Sequence, residues 1–208
     1  MSPLSGPTSD PVAADARDRA LAAMDDVQTV GVTMTVAVVT PGTSDSVTLS
    51  GVVNQRTNRG RFNVSAPDGE RRIYVANDSL WAKQGGDWEF RTRNSAPWTD
   101  GASVERQRSL LDSGRVTFLR NDSLDGHPVT VVEAHPDDDA VAALTGTREL
   151  DSYTVRLWIG RETGYVWQSR AEASVSRGGE SATTTVTTRF RWFDRPVTVD
   201  IPSAALSA

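Results

Sequence analysis

Near the start of the chain apolar residues recur at helical spacing. Val12, Ala16, Ala20, Leu21 and Met24 sit among Asp and Arg between Pro11 and Asp26, which predicts one amphipathic helix. Past Val27 the period changes to two. Val32, Met34, Val36 and Val38 alternate with Thr33, Thr35 and Ala37, and after a turn at Pro41 to Asp45 the apolar positions resume at Val47, Leu49, Gly51 and Val53. Turn-forming residues at Asn58-Arg59-Gly60, Pro67-Asp68-Gly69, Asn77-Asp78 and Gly85-Gly86-Asp87 then separate strands over 61–66, 71–76, 79–83 and 88–93. Six short strands joined by tight turns make an antiparallel meander.

The alternation breaks between Asn94 and Gly101, and Val104, Leu110 and Leu111 predict a short helix ending near Gly114. Strands over 115–120 and 127–134 follow, joined by Asn121 to Gly126. Pro136 and the acidic run Asp137-Asp138-Asp139 suit the start of a third helical piece with Val141, Ala143 and Leu144 as its apolar residues. Strands over 153–159, 165–175, 181–192 and 197–201 complete the chain. In the long hairpin among them Tyr165, Trp167, Ser169, Ala171, Ala173 and Val175 share one parity, as do Val186, Thr188, Phe190 and Trp192.

Alternation nearly everywhere gives each strand one wet and one dry face, unlike the continuous apolar strands of a parallel sheet. A sheet of about 11–12 twisted strands curls, and the few helices are too short to cover it edge to edge. The expected class is α+β: a strongly curved antiparallel sheet, an incomplete β-barrel, with helices plugging its concave side. Residues 1–11, rich in Ser, Pro, Gly and Thr, are expected to form a flexible tether, and residues 12–208 a single domain.

The 208 residues are 38% hydrophobic and 24% charged, which excludes collagenous, fully disordered and integral membrane classes. A formal charge of −5 argues against nucleic acid as the partner. Lys83 is the sole lysine, and Asp outnumbers Glu by 19 to 8, so the cationic surface is almost wholly guanidinium. With no cysteine there is neither a disulfide nor a thiolate nucleophile. No stretch approaches about 18 uninterrupted apolar residues, and the charged and apolar regions of a signal peptide are absent, so the chain as it stands is expected to be soluble.

The two histidines, His127 and His135, each precede a proline at a strand boundary, an extended and structural setting. His135 with Asp137 and Asp139 has the donor types for a divalent cation, but stabilisation of a helix N-terminus accounts for the same aspartates, and no metal site or cofactor is assigned. No metalloprotease pair, P-loop, dinucleotide fingerprint or G-x-S-x-G elbow occurs, so nothing supports an enzyme. Asn63-Val64-Ser65, Asn77-Asp78-Ser79 and Asn121-Asp122-Ser123 fit the N-glycosylation pattern, the last two in predicted turns where Asn-Asp-Ser is also ordinary turn chemistry. Trp81, Trp88, Trp158, Trp167 and Trp192 lie on predicted strands and Trp98 in a loop, either filling a core or lining a hollow. Arg71, Arg72, Arg91, Arg93, Arg156, Arg170, Arg189 and Arg191 are expected on the wet convex face.

The order of elements resembles the LolA/LolB lipoprotein-carrier superfamily, including LppX- and LprG-type envelope lipoproteins. The resemblance rests on the N-terminal helix, the meander, the helices inserted midway, and the run Tyr153-Thr-Val-Arg-Leu-Trp-Ile-Gly-Arg-Glu-Thr-Gly-Tyr165, where Gly160 stands in place of the family's usual Asp. Asn77 to Trp81 with Asp87-Trp88, Leu124 to Val129, and Phe190 to Pro202 are similar to further strands and hairpins of that family. The resemblance implies an extracytoplasmic, non-enzymatic carrier or sensor, tethered through an N-terminal lipid anchor absent from this chain. Its partner would be a lipid or lipidated protein whose acyl chains enter an apolar cavity, with a membrane-associated delivery partner. Candidate lining residues are Val32, Met34, Val36, Leu49, Phe62, Val64, Ile73, Trp88, Phe90, Phe118, Tyr153, Val155, Leu157, Trp167 and Phe190, with Leu21, Met24, Leu110, Leu111 and Leu144 from the helices. An alternative is an envelope adhesion or scaffold module with a filled interior and a charged convex binding surface.

Overall fold

Alternation of period two over most of the chain becomes one sheet in the computed structural model, which describes residues 10–77, 79–92, 104–112, 114–138, 141–142 and 150–206. Helix α1 (Pro11–Asp25) leads into β1 (Thr29–Thr40), β2 (Thr43–Asn54), β3 (Arg59–Ala66), β4 (Gly69–Ala76), β5 (Ser79–Gln84) and β6 (Asp87–Thr92). Helix α2 (Val104–Asp112) is followed by β7 (Gly114–Leu124), β8 (His127–Pro136), β9 (Ser152–Gly160), β10 (Val166–Arg177) and β11 (Glu180–Phe193). All eleven strands are antiparallel, in the order β6-β5-β4-β3-β2-β1-β11-β10-β9-β8-β7. The sheet is curved and unclosed, an incomplete barrel. Two meanders therefore meet where the first strand pairs with the last.

Three β-bulges shift the parity of the inward face: between Gly31 and Val32 opposite β11, between Val166 and Gln168 on β10, and between Phe118 and Arg120 on β7. Each places an extra residue, Arg191, Trp167 and Leu119 respectively, and re-aims everything beyond it. The single parities expected for Tyr165 to Val175 and for Val186 to Trp192 are accordingly broken. Val166 is fully buried where Trp167 was expected, and Phe193, paired with Val30, takes the inward place expected for Trp192.

The expected strand over 197–201 does not form. Asp194 turns the chain at φ 53°, and the segment beyond is held by side chains instead of a ladder. Thr29 Oγ1 donates to the Arg195 carbonyl at 2.7 Å, Asn54 Nδ2 to that of Val197 at 3.0 Å and Arg59 Nη1 to that of Val199 at 3.3 Å. Asn121, Asp122 and Ser123, expected in a turn, belong to β7, and the turn is Asp125-Gly126. Of the third helical piece one turn is described, closed by the Val141 N–H on the Asp137 carbonyl at 2.9 Å; Ala143, Leu144, the loop around Trp98 and residues 1–9 of the expected tether lie outside the described residues.

The helix α1 starts at Pro11, as its periodicity predicts, and Asp10, placed above in the tether, is its cap. Pro11 needs no backbone donor in the first turn, and Asp10 is the N-cap, its Oδ1 accepting the Val12 and Ala13 N–H groups at 3.0 and 3.4 Å. The second oxygen, Oδ2, accepts the Phe118 N–H of the β7 bulge at 3.2 Å. Farther along the helix Arg19 donates to the Arg161 carbonyl in the β9–β10 turn. That turn ends at Gly164, whose φ of 74° suits glycine and where an added Cβ would lie 2.8 Å from the Arg19 carbonyl oxygen. The helix is thus docked at two points on the C-terminal meander.

Replacing Asp10 by Ala removes both the cap and the bond to β7, and should cost about 1–2 kcal/mol in denaturant unfolding. Asp10→Asn keeps the capping oxygen but turns an amide NH2 toward the Phe118 N–H. It should lose less stability while still speeding hydrogen exchange at the Phe118 amide.

Candidate functional site

Register fixes which side chains share the concave face. One row across the sheet reads Arg71, Val64, Leu49, Met34, Thr188, Ser169, Leu157, Val132 and Phe118. The next reads Val47, Val36, Val186, Ala171, Val155, Ala134 and Val116. Ile73, Phe62 and Val32 with Phe190 form a third, in which Phe62 sits opposite Gly51. In the first two rows the inner positions of β10 and β11 are Ser169, Ala171, Thr188 and Val186, smaller than the Met34, Leu49 and Arg71 of β1, β2 and β4.

The helices cover only part of this face. α1 buries Ala13, Ala16, Ala20 and Met24, α2 buries Val104, Gln107, Leu110 and Leu111, and the two pack mainly on each other and on β7 and β8. At the opposite end, over β1 to β4, a groove of about 540 Å³ remains. Its floor is Val36, Val47, Leu49, Val64 and Ile73; Ala66 and Pro67 flank it, and Asp45, Asp68 and Arg71 form a charged rim. That volume falls within the range of small-molecule sites, roughly 300–1,000 Å³.

Of the candidates named from the sequence, Val36, Leu49, Val64 and Ile73 line this groove. Met24, Val32, Met34, Phe62, Leu110, Leu111, Val155, Leu157 and Phe190 are buried in the contiguous core beside it, and Leu21, Phe118 and Tyr153 pack partly buried against that core. Three expectations are overturned. Trp88 pairs with Lys83 and Phe90 with Trp81, positions opposite in parity to Ala82, which faces Ile73 on the inner side; both rings therefore lie on the convex face. Trp167 is the bulge residue of β10 and stacks on His127, with ring centroids 4.4 Å apart and planes 7° from parallel. Leu144 lies outside the described residues.

Sequence reasoning missed the rim and Val47. Val47 carried a usable signal, because it shares the parity of Leu49. Arg71 was placed on the convex face, yet its register opposite Val64 puts it inward. Its Nη2 pairs with Asp68, while its Nε is buried and has no hydrogen-bond partner among the described residues, an unspent donor at the groove edge.

Two polar groups sit deeper. Burial raises the Tyr153 phenol above its ordinary range, offset in part by the Arg106 guanidinium, so the hydroxyl stays neutral. Gln107 is 1% exposed, and its carbonyl oxygen has no donor among the described residues. Among the described residues no group of three His, Cys, Asp or Glu side chains is placed to hold a metal ion, and no helix is long and apolar enough to cross a membrane.

This architecture is found in two solved mycobacterial proteins. The lipoprotein LppX of Mycobacterium tuberculosis superposes with a TM-score of 0.66 at 18% identity, covering 92% of this chain and 100% of its own. LprF of Mycobacterium bovis gives 0.62 at 16% identity, covering 93% and 98%. No protein-family model and no curated protein matches the sequence. The shared property is the fold: the LppX-type curved half-barrel that the element order resembled.

An unpaired buried acceptor costs about 1–3 kcal/mol. Gln107→Met, which keeps length and removes the amide, should stabilise the protein by about 1 kcal/mol, seen as a rise of about 2–4 °C in the thermal midpoint.

Proposed function

We propose that the protein is an extracytoplasmic, non-enzymatic carrier or sensor that holds acyl chains of a lipid or lipidated protein in the groove over β1 to β4. The observation that carries this reading is the join of an apolar floor to a charged rim. Val36, Val47, Leu49, Val64 and Ile73 offer hydrocarbon a surface out of water, while Arg71, with its unspent Nε–H, and Asp45 lie where a head group would emerge. Burying each methylene contributes about 0.8 kcal/mol, so a chain of about sixteen carbons offers roughly 13 kcal/mol before ordering costs. Shape and burial suffice; no bond need be made or broken.

LppX is described as a lipoprotein, and the shared fold supports an envelope location with an N-terminal lipid anchor for this protein too. A membrane-associated partner would then receive the cargo. The scaffold-module alternative requires a filled interior, and the groove left uncovered by α1 and α2 favours the carrier.

Leu49 and Phe62 are only 2% and 3% exposed, so a charge at either would unfold the protein. Val47 is half-buried on the groove floor and tests the site without that penalty. Val47→Glu should weaken uptake of a fluorescent fatty acid at least tenfold with the fold intact by circular dichroism, whereas Val39→Glu, on the exposed convex side, should leave uptake unchanged. Native mass spectrometry of protein from its own host should show a co-purifying lipid. A wild-type protein that arrives bare and takes up no acyl probe, or a Val47→Glu variant that binds as well as wild type, refutes the reading.

A further inference from the structure

A second pocket, of about 370 Å³, opens on the convex face, lined by Thr33, Leu124, Asp125, His127, Trp167, Arg189, Phe190 and Arg191. Two of the three bulges converge on it. The extra residue of β10 is Trp167 and that of β11 is Arg191, and both line this one pocket, the Trp167 ring also packing edge-on against Phe193 with centroids 5.2 Å apart. Bulges are enriched where a strand must re-aim a side chain for a site.

The two arginines differ from their neighbours on the same face. Arg156 pairs with Glu133 at 3.2 Å and Arg170 with Glu172 at 3.3 Å. Arg189 instead donates its Nε–H to the buried Gln168 Oε1 at 2.6 Å, and Arg191 donates through Nη2 to the Gly51 carbonyl at 3.2 Å. Neither has a carboxylate within 4.0 Å among the described residues. A guanidinium has five N–H donors, so one bond to a neutral acceptor fixes its direction and leaves four. The charge is held in place but not neutralised, on a protein whose formal charge is −5. Asp125 bounds the pocket as its one carboxylate, leaving a local excess of one positive charge. The stacked His127 and Trp167 rings form a rigid wall beside the two forks.

We propose that this convex pocket binds a phosphate-type anion, gripped by Arg189 and Arg191 against the His127–Trp167 stack. Each guanidinium, held by one neutral acceptor, keeps donors free for the oxygens of a phosphate through charge-assisted bonds. The site lies on the opposite face of the sheet from the groove, so it does not depend on acyl binding there.

The test is a titration followed by NMR, reading the Trp167 indole and the arginine Nε–H signals, at about 0.15 M salt to suppress diffuse attraction. The probes are inorganic phosphate, a soluble short-chain phosphatidylglycerol, and phosphatidylglycerol vesicles. Saturable shifts confined to this pocket are expected, weakened at least tenfold in Arg189→Gln/Arg191→Gln and unchanged in Arg156→Gln. Response to inorganic phosphate assigns the phosphate group itself as the ligand, and response only to the two lipid probes assigns a lipid head group. No saturable shift with any probe, or equal affinity in the double variant, overturns the proposal. Acyl uptake by the double variant is expected to equal wild type, which separates this site from the groove.

Discussion

The ladder between β1 and β11 is the contact on which the rest depends. It runs from Val30 opposite Phe193 to Val39 opposite Thr183, and joins residues separated by most of the chain. Nearly every other strand pair is a hairpin neighbour, so without this ladder the molecule would be two separate meanders, each with an apolar face open to water. Closing so long a loop costs entropy that grows only slowly with length. The return is a central strand paired on both sides, with Val30, Val32 and Met34 at most 1% exposed. Asp194 finishes the join. Its N–H donates to the Thr29 carbonyl at 2.8 Å and its Oδ1 accepts the Gln28 N–H at the same distance, which sets where β11 stops and the C-terminal segment turns away.

Hairpins with two-residue turns were the most legible part of the fold, because turn chemistry fixes both position and register. Gly85-Gly86 sets Gln84 against Asp87, and from there parity alone would have put Trp88 and Phe90 outside. Their bulk would suit a hollow, but their register places them away from it. The bulges were not legible. Nothing in the alternation of Tyr165, Trp167 and Ser169 says that one residue is extra, since the bulge arises from pairing with β9, across the turn at Gly160 to Gly164. The β1–β11 pairing was equally hidden, because both strands are Thr- and Val-rich and either could have formed an edge. Of the candidate site, the floor was readable from parity and the rim was not. Arg71 looks like any strand arginine until its partner across β3 proves to be Val64.

Strict alternation lets one strand serve two surfaces. On β11, Thr188 and Phe190 face the core while Arg189 and Arg191 face out, and on β10 Ser169 faces in while Gln168 steers Arg189 from the other side. The two faces are filled by different rules. Inside, side-chain volume decides what is closed and what stays open. Outside, pairing of charges decides: Arg120, Arg156 and Arg170 each meet a carboxylate, whereas Arg189 and Arg191 meet only neutral acceptors. Departures from each rule mark the two candidate sites: an uncovered apolar floor within, and two uncompensated arginines without.

Why the groove lies over β1 to β4 follows from where α1 is fixed. Its N-terminus is bonded to the β7 bulge through Asp10, its middle to the β9–β10 turn through Arg19, and its C-terminal end to α2 through the Asp25–Arg108 pair at 2.8 Å. The last of these is exposed and contributes little, but the first two involve backbone groups of the C-terminal meander. An alanine face at Ala13, Ala16 and Ala20 lets the helix sit close there. A helix of 15 residues is roughly 22 Å long; running from the β7 bulge to within three residues of β1, it does not also cover β2 to β4, six to eight places away at about 4.8 Å per strand. Anchoring α1 on one meander therefore uncovers the other, and the larger inward residues of β2 to β4 are left with an apolar surface that only a ligand or another segment can shield from water.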